Sequence, residues 1–339
     1  MAAKKRASAA LNTPRADINE ILVGYYVLGS TWKGFQQQKY VKDQLAQRRD
    51  LVGEDLYAIQ VEQAKKMADK FLEWANQNGF RGKPKFAWWT ARPNTITNAI
   101  KGTKSGDAIL DALGGSVDQD KNPTDTLFQW GTGNRAKFLG LSAKSTKGSG
   151  DIGFKNPGVG TIDKDLGTKL ADQYKKEVSD FVDGINSRPG PKLSKTVSTR
   201  KIELRKNTKQ MKPITEAAND AGADVLKNLR DSLYKKLKKL NQEQLREYCL
   251  SSWMDVGDEI LPIYVKVTGH GEKSPYSASL MDPLKNSKTY LVQTGKITLS
   301  KVGDTSIGIT ADRKKIFKMR FKWESQPMAS SMKMSGDPW

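Results

Sequence analysis

One cysteine, Cys249, and one histidine, His270, are all that 339 residues contain of the two side chains most used to build metal and redox sites. A disulfide framework and a cysteine-rich zinc site are thereby excluded. An intrachain HExxH zinc motif is excluded as well, and His270 alone is left as the base of any Ser-His-Asp triad. Long apolar runs are missing too: residues 21–29 form the longest, well short of the ~20 residues that span a bilayer. Residues 1–11 are basic and alanine-rich, but no signal-peptide hydrophobic region with a cleavage site follows them. The expectation is an intracellular, non-secreted protein that does not work at a membrane.

Acidic residues are scarce as well, 37 Asp+Glu against 57 Lys+Arg, for a formal charge of +20. Like charges repel in a compact chain, so this excess speaks of partners: it attracts phosphate backbones through counterion release. Nucleic acid is the expected partner, and composition does not separate DNA from RNA. Hydrophobic residues make up 37% of the chain, and eight Trp, ten Tyr and ten Phe supply bulk for a core.

Apolar residues Ile18, Ile21, Leu22, Tyr25 and Tyr26 recur at helical spacing after Asn12-Thr13-Pro14 and predict a helix ending near Gly29. A second helix is predicted over 54–78, a short buried strand over 85–90, and a helical turn over 107–113. Residues 125–130 and 138–145 read as strands joined through Gly131-Thr132-Gly133-Asn134, a hairpin connection. A glycine-rich loop, 148–160, precedes a helix marked by Leu166, Leu170, Tyr174, Val178, Phe181 and Ile185. Residues 192–212 carry eight basic side chains and one acid, which reads as a linker or extended arm. A long amphipathic helix follows, with Val225, Leu229, Leu233, Leu237 and Leu240 on one side. Residues 260–268, 288–299, 306–310 and 315–323 read as strands of an antiparallel sheet. The expected organisation is an α/β (α+β) core over 1–190, a basic linker and helix over 191–250, and a β-rich region over 251–339.

The hairpin gathers chemistry. With its connection centred between Asn134 and Arg135, facing residue numbers sum to about 269, so Asp125 faces Lys144. Gly140, Ser142 and Lys144 then share one face, and Leu139, Leu141 and Ala143 the apolar other. A cross-strand Asp-Lys pair is also ordinary structural pairing. Asn19-Glu20-Ile21-Leu22 on the first helix, Asn122-Pro123-Thr124-Asp125 and Gly140-Leu141-Ser142-Ala143-Lys144 together resemble the PD-(D/E)XK nuclease superfamily over roughly residues 12–186, and look like its viral or phage members. That resemblance implies a mixed central sheet flanked by helices. It also implies a site in which Glu20 and Asp125 hold Mg2+ or Mn2+, and Lys144 orients water and stabilises developing charge. Ser142 stands where most members carry Asp or Glu. The resemblance gives it a metal-bound water or a weak ligand role, with Asp151 as a possible substitute acid. A nuclease acting on DNA is implied, with a non-catalytic nucleic-acid-binding or packaging protein on the same fold as the alternative.

A second group of residues points to the substrate grip: Lys201, Arg205 and Lys206 in the basic stretch, and Arg313, Lys314, Lys315, Lys318, Arg320 and Lys322 in a strand without acids. Phe317, Phe321 and Trp323 interleave with the latter, either as a buried alternate face or as stacking surfaces. Affinity for duplex DNA is therefore expected to fall steeply as salt rises. Neutralising Arg313, Lys314, Lys315 and Lys318 together should flatten the plot of log K against log salt in a filter-binding titration. An unchanged slope removes this strand from the interface.

Overall fold

The computed structural model describes residues 12–119, 122–147, 154–254, 256 and 264–339. Their fold is mixed α/β, and the chain divides into two compact units, one drawn from 1–152 and 255–286, the other from 153–254 and 287–339. These limits differ from the expected boundaries near 190 and 250.

In the first unit, helix α1 (Asn12–Val27) has Ile18, Ile21, Leu22, Val23 and Val27 all buried, as a helix surrounded by protein must. Helix α2 (Gln38–Val52) escapes the periodicity reading because Val41, Leu45 and Val52 are its only buried residues in a charged segment. Helix α3 (Glu54–Gln77) buries Gln60, Gln63, Ala64, Met67, Ala68, Phe71 and Ala75, a stripe at spacings of three and four. Two short helices, α4 (Thr95–Ile100) and α5 (Lys104–Ala112), follow strand β1 (Phe86–Trp89).

Strands β1, β2 (Thr126–Trp130), β3 (Lys137–Thr146), β4 (Tyr264–His270) and β5 (Ser277–Met281) form one sheet in that order. Neighbours are antiparallel except β3 and β4, which run parallel. One apolar cluster joins α1, α2 and α3 to Phe128, Trp130, Leu139, Leu141, Ala143, Val265 and Val267 of the sheet. Ile96, Ile100, Leu110, Leu127 and Phe138 form a second. Leu127 and Phe128 belong to different clusters because successive strand residues point to opposite faces.

The β2–β3 register differs from the expected one. Trp130 faces Lys137 and Thr126 faces Leu141, because a 3-10 turn at Gly133–Arg135 closes the connection one residue earlier. The amide of Asp125 donates to the Leu141 carbonyl at 2.9 Å, which sets Asp125 beside Ser142 instead of directly across from Lys144. A shift of two residues leaves every side chain on its expected face.

The second unit carries helices α6 (Val159–Leu166), α7 (Leu170–Asn186), α8 (Val197–Glu203), α9 (Lys212–Leu237), α10 (Gln242–Tyr248) and α11 (Ser287–Thr294). Its sheet is an antiparallel meander of β6 (Ile297–Val302), β7 (Ser306–Ala311), β8 (Lys314–Trp323) and β9 (Met332–Pro338). Three expectations are corrected here. The basic stretch 192–212 is no extended arm: it contains α8, and its Arg200 is buried. The Arg200 guanidinium donates to the carbonyls of Met328 at 2.8 Å, Ser194 at 2.9 Å and Lys195 at 3.0 Å. Residues 288–299 are not one strand, since α11 buries Thr289 and Val292 and ends where the Gly295 amide donates to the Leu291 carbonyl at 2.8 Å. The predicted strand at 260–268 appears as β4, whose parallel pairing with β3 puts it in the first unit's sheet; residues 260–263 lie outside the described residues.

Gly140 sits where a Cβ would lie 2.3 Å from Thr124 Oγ1 and 3.1 Å from Tyr264 Cβ. Gly140→Ala should therefore lower stability by about 1–3 kcal/mol, the ordinary cost of overpacking a filled site. A chemical-denaturation midpoint equal to that of the unsubstituted protein would contradict this packing.

Candidate active site

Asp125 is fixed from both sides before its carboxylate does anything. The Asn122 side chain accepts from the Thr124 amide at 3.0 Å, turning the chain after Pro123. The Thr124 carbonyl accepts from the Thr90 hydroxyl, and the Asp125 carbonyl accepts from the Thr90 amide at 3.1 Å. Thus β1 and β3 together hold the residue at the mouth of β2.

Its Oδ2 accepts three hydrogen bonds from consecutive residues of β3: Ser142 Oγ at 3.1 Å, the Ala143 amide at 2.9 Å and Lys144 Nζ at 3.1 Å. Among the described residues none is made to Oδ1. The Asp125 and Lys144 side chains keep 21% and 37% of their surface exposed, while Ser142 is fully buried. Solvent therefore reaches the acid and the amine but not the hydroxyl. Ser142 acts as a donor that orients Asp125.

Glu20 joins them from α1. Its carbonyl accepts from the Thr126 hydroxyl at 2.8 Å, tying the helix to the start of β2, and its Oε2 accepts from the Trp89 indole at 2.8 Å. Burial, and then the charge of Asp125, push the Glu20 carboxyl up to about 8, with the Trp89 hydrogen bond and Lys144 acting in the opposite direction. Both causes favour the protonated form of this carboxyl. A divalent cation between Glu20 and Asp125 would relieve both causes, so the donor set fits a hard cation that takes the rest of its shell from water. No group of three or more His, Cys, Asp or Glu suited to a metal occurs among the described residues; Asp151 lies outside them.

Lys266 is the residue that sequence reasoning missed. On β4 it lies directly across from Ser142, and it is only 8% exposed. Burial, followed by repulsion from Lys144, lowers its ammonium to about 8, and Asp125 works against both. The site therefore sets two amines and two carboxyls around one strand end. No local pattern could have found Lys266, because it reaches the site through a parallel pairing 124 residues away in sequence (266 − 142).

The expected grip residues belong to the second unit. Lys201 is half-buried near the end of α8, with Arg205 and Lys206 exposed just beyond it. Asp312 and Arg313 adopt left-handed conformations in the tight β7–β8 turn, and Lys314 and Lys315 are exposed after it. Lys318, Arg320 and Lys322 alternate with Phe317, Met319 and Phe321. Phe317 and Phe321 are 0% and 1% exposed, which settles their alternative: they are core, not stacking surfaces. Arg320 is paired to Asp337 at 2.7 Å, leaving it less charge to offer a partner.

No family model and no curated protein matches this chain.

The acidity of Glu20 gives a measurable signature. Between its ordinary value of 4.5 and about 8, the unfolded chain has lost this proton while the folded protein retains it. Stability contributed at this site is thus full at low pH, declines as pH rises through that window, and levels off above about 8. Glu20→Gln should flatten the decline and raise the melting temperature at pH 8 by about 2–4 °C for each kcal/mol recovered. Superimposable stability–pH profiles of the two proteins would contradict the assignment.

Proposed function

We propose that this protein is a divalent-metal-dependent nuclease that hydrolyses DNA phosphodiester bonds, of the PD-(D/E)XK kind and the viral or phage type, working inside the cell. The observation that carries the reading is the convergence of Glu20, Asp125 and Lys144, which come from a helix, the lead-in to β2 and strand β3, on one solvent-accessible strand end. The choice of DNA rests on the sequence resemblance. No described helix is long and apolar enough to cross a membrane.

Glu20 and Asp125 would hold Mg2+ or Mn2+, which would supply polarisation of a phosphodiester oxygen and a lower pKa for water. Ser142 and the Ala143 amide keep Asp125 oriented for that task. Lys144 stands beside Asp125 and is exposed enough to meet a phosphate, so its ammonium stabilises charge growing on the phosphoryl oxygens. Lys266 adds a second positive charge behind it. Lys201, Arg205, Lys206, Arg313, Lys314, Lys315, Lys318, Arg320 and Lys322 would track the backbone. One observation favours a second reading, phosphate binding without cleavage: while Glu20 is protonated, Lys144 and Lys266 outnumber the charge of Asp125.

Cleavage of plasmid and of single-stranded circular DNA in Mg2+, Mn2+ or EDTA separates the two. Lys144→Ala should slow metal-dependent cleavage by about a hundredfold or more while DNA affinity stays within about twofold. Asp125→Ala should also abolish cleavage, by losing the cation. Undiminished metal-dependent cutting by purified Lys144→Ala sinks the proposal. A wild-type protein that binds DNA but never cuts it favours the second reading.

A further inference from the structure

Beside Glu20, its hydrogen-bond donor Trp89 begins a stack of rings and guanidinium groups, the rest of which has no part in the chemistry above. Trp89, whose indole holds Glu20, packs at 6.1 Å and 26° against Tyr40 of α2. The Arg92 guanidinium lies over the Tyr40 ring, 3.4 Å from its centroid. Other cation–ring contacts among the described residues are at 4.7–5.9 Å, so this one alone is at stacking distance. On the same Trp89, Arg48 lies 5.4 Å from the ring centroid, anchored to Asp17 at 2.5 Å.

Arg48 and Arg92 differ in a telling way. Arg48 is half-buried and ion-paired, a fixed part of the wall. Arg92 sits in a loop where residues 91–94 are all exposed, and among the described residues no carboxylate pairs with it. A planar cation resting on a half-buried ring occupies the space a nucleobase would fill, at the separation a base would adopt.

We infer that Tyr40 is a platform on which one unstacked nucleobase of the substrate lies, with Arg92 swinging off the ring to pair with the adjoining phosphate. This deepens the nuclease reading and rests on it. It names the substrate class: nucleic acid with an unpaired nucleotide next to the bond to be cut, such as a single strand, a frayed end or a junction. A base inside a duplex offers its edges in the grooves and not its face, so uninterrupted duplex cannot use the platform.

The test uses a single-stranded oligonucleotide carrying 2-aminopurine and the matching duplex, both in EDTA so that nothing is cut. Binding of the single strand should quench the fluorophore by stacking. Tyr40→Ala should weaken single-strand binding roughly tenfold or more and remove the quench, while duplex binding stays within about twofold. Tyr40→Phe should preserve the quench, and Arg92→Ala should keep it while reducing the salt slope by about one phosphate contact. Circular dichroism of each variant ensures that the folded protein is being compared, with Tyr40→Phe and Arg92→Ala carrying the test if Tyr40→Ala does not fold. Tyr40→Ala that still quenches, equal losses for single strand and duplex, or Arg92→Ala with an unaltered slope would overturn the platform. A Tyr40-dependent quench in a protein without metal-dependent cleavage would uphold the platform and remove the nuclease reading. Cleavage without such a quench would remove the platform alone.

Discussion

Everything at the candidate site hangs on one oxygen. Asp125 Oδ2 takes its three hydrogen bonds from Ser142, Ala143 and Lys144, and these donors are a hydroxyl, a backbone amide and an ammonium offered in sequence order along one strand. A carboxylate held so cannot rotate freely, which leaves its other oxygen pointing where the geometry of the hairpin sends it. Preorganisation of this kind is what an electrostatic site needs, because no reorganisation is then required when charge develops. The restraint depends in turn on Thr90 and Leu141, whose backbone groups fix Asp125 along the chain. It also depends on Gly140, whose missing side chain leaves room for Thr124.

Charge balance divides the site into two states. With Glu20 protonated, Lys144 and Lys266 outnumber Asp125 at this strand end, the state the proposed function assigns to phosphate. With Glu20 ionised, its charge adds to that of Asp125, the state the proposed function assigns to a cation. The two states differ by one proton, and Trp89 touches the group that carries it. Burial of Glu20 is thus a tuning device as well as a cost in stability.

Much of this was legible in the sequence. Helices α1 and α3 announced themselves through apolar spacing, and β2 and β3 through alternation and the Gly/Asn connection between them. Glu20, Asp125, Ser142 and Lys144 stand out in the sequence, and the structure does bring those four together. The register was misread by two residues because a 3-10 turn is not distinguishable from a plain hairpin turn by composition. Helix α2 was missed because a surface helix with few buried residues has almost no apolar signal. The 192–212 segment misled through charge: eight basic residues read as solvated chain, while Arg200 is buried by bonding to three carbonyls. Residues 288–299 looked like one strand because Tyr290, Leu291 and Val292 favour β structure locally, and tertiary context overrode them.

The parallel pairing of β3 with β4 has a consequence for how the protein comes into being. More than a hundred residues, most of them belonging to the other unit, leave the sheet after β3 before β4 returns to it. A ribosome therefore exposes Glu20, Asp125, Ser142 and Lys144 long before it delivers Lys266. During that interval the growing sheet has an open edge at β3, and the loop that must close to seal it is among the longest in the chain. Pairing at that edge has to wait for β4, and until then the strand that bears Ser142 and Lys144 offers an unpaired edge to which another chain can add.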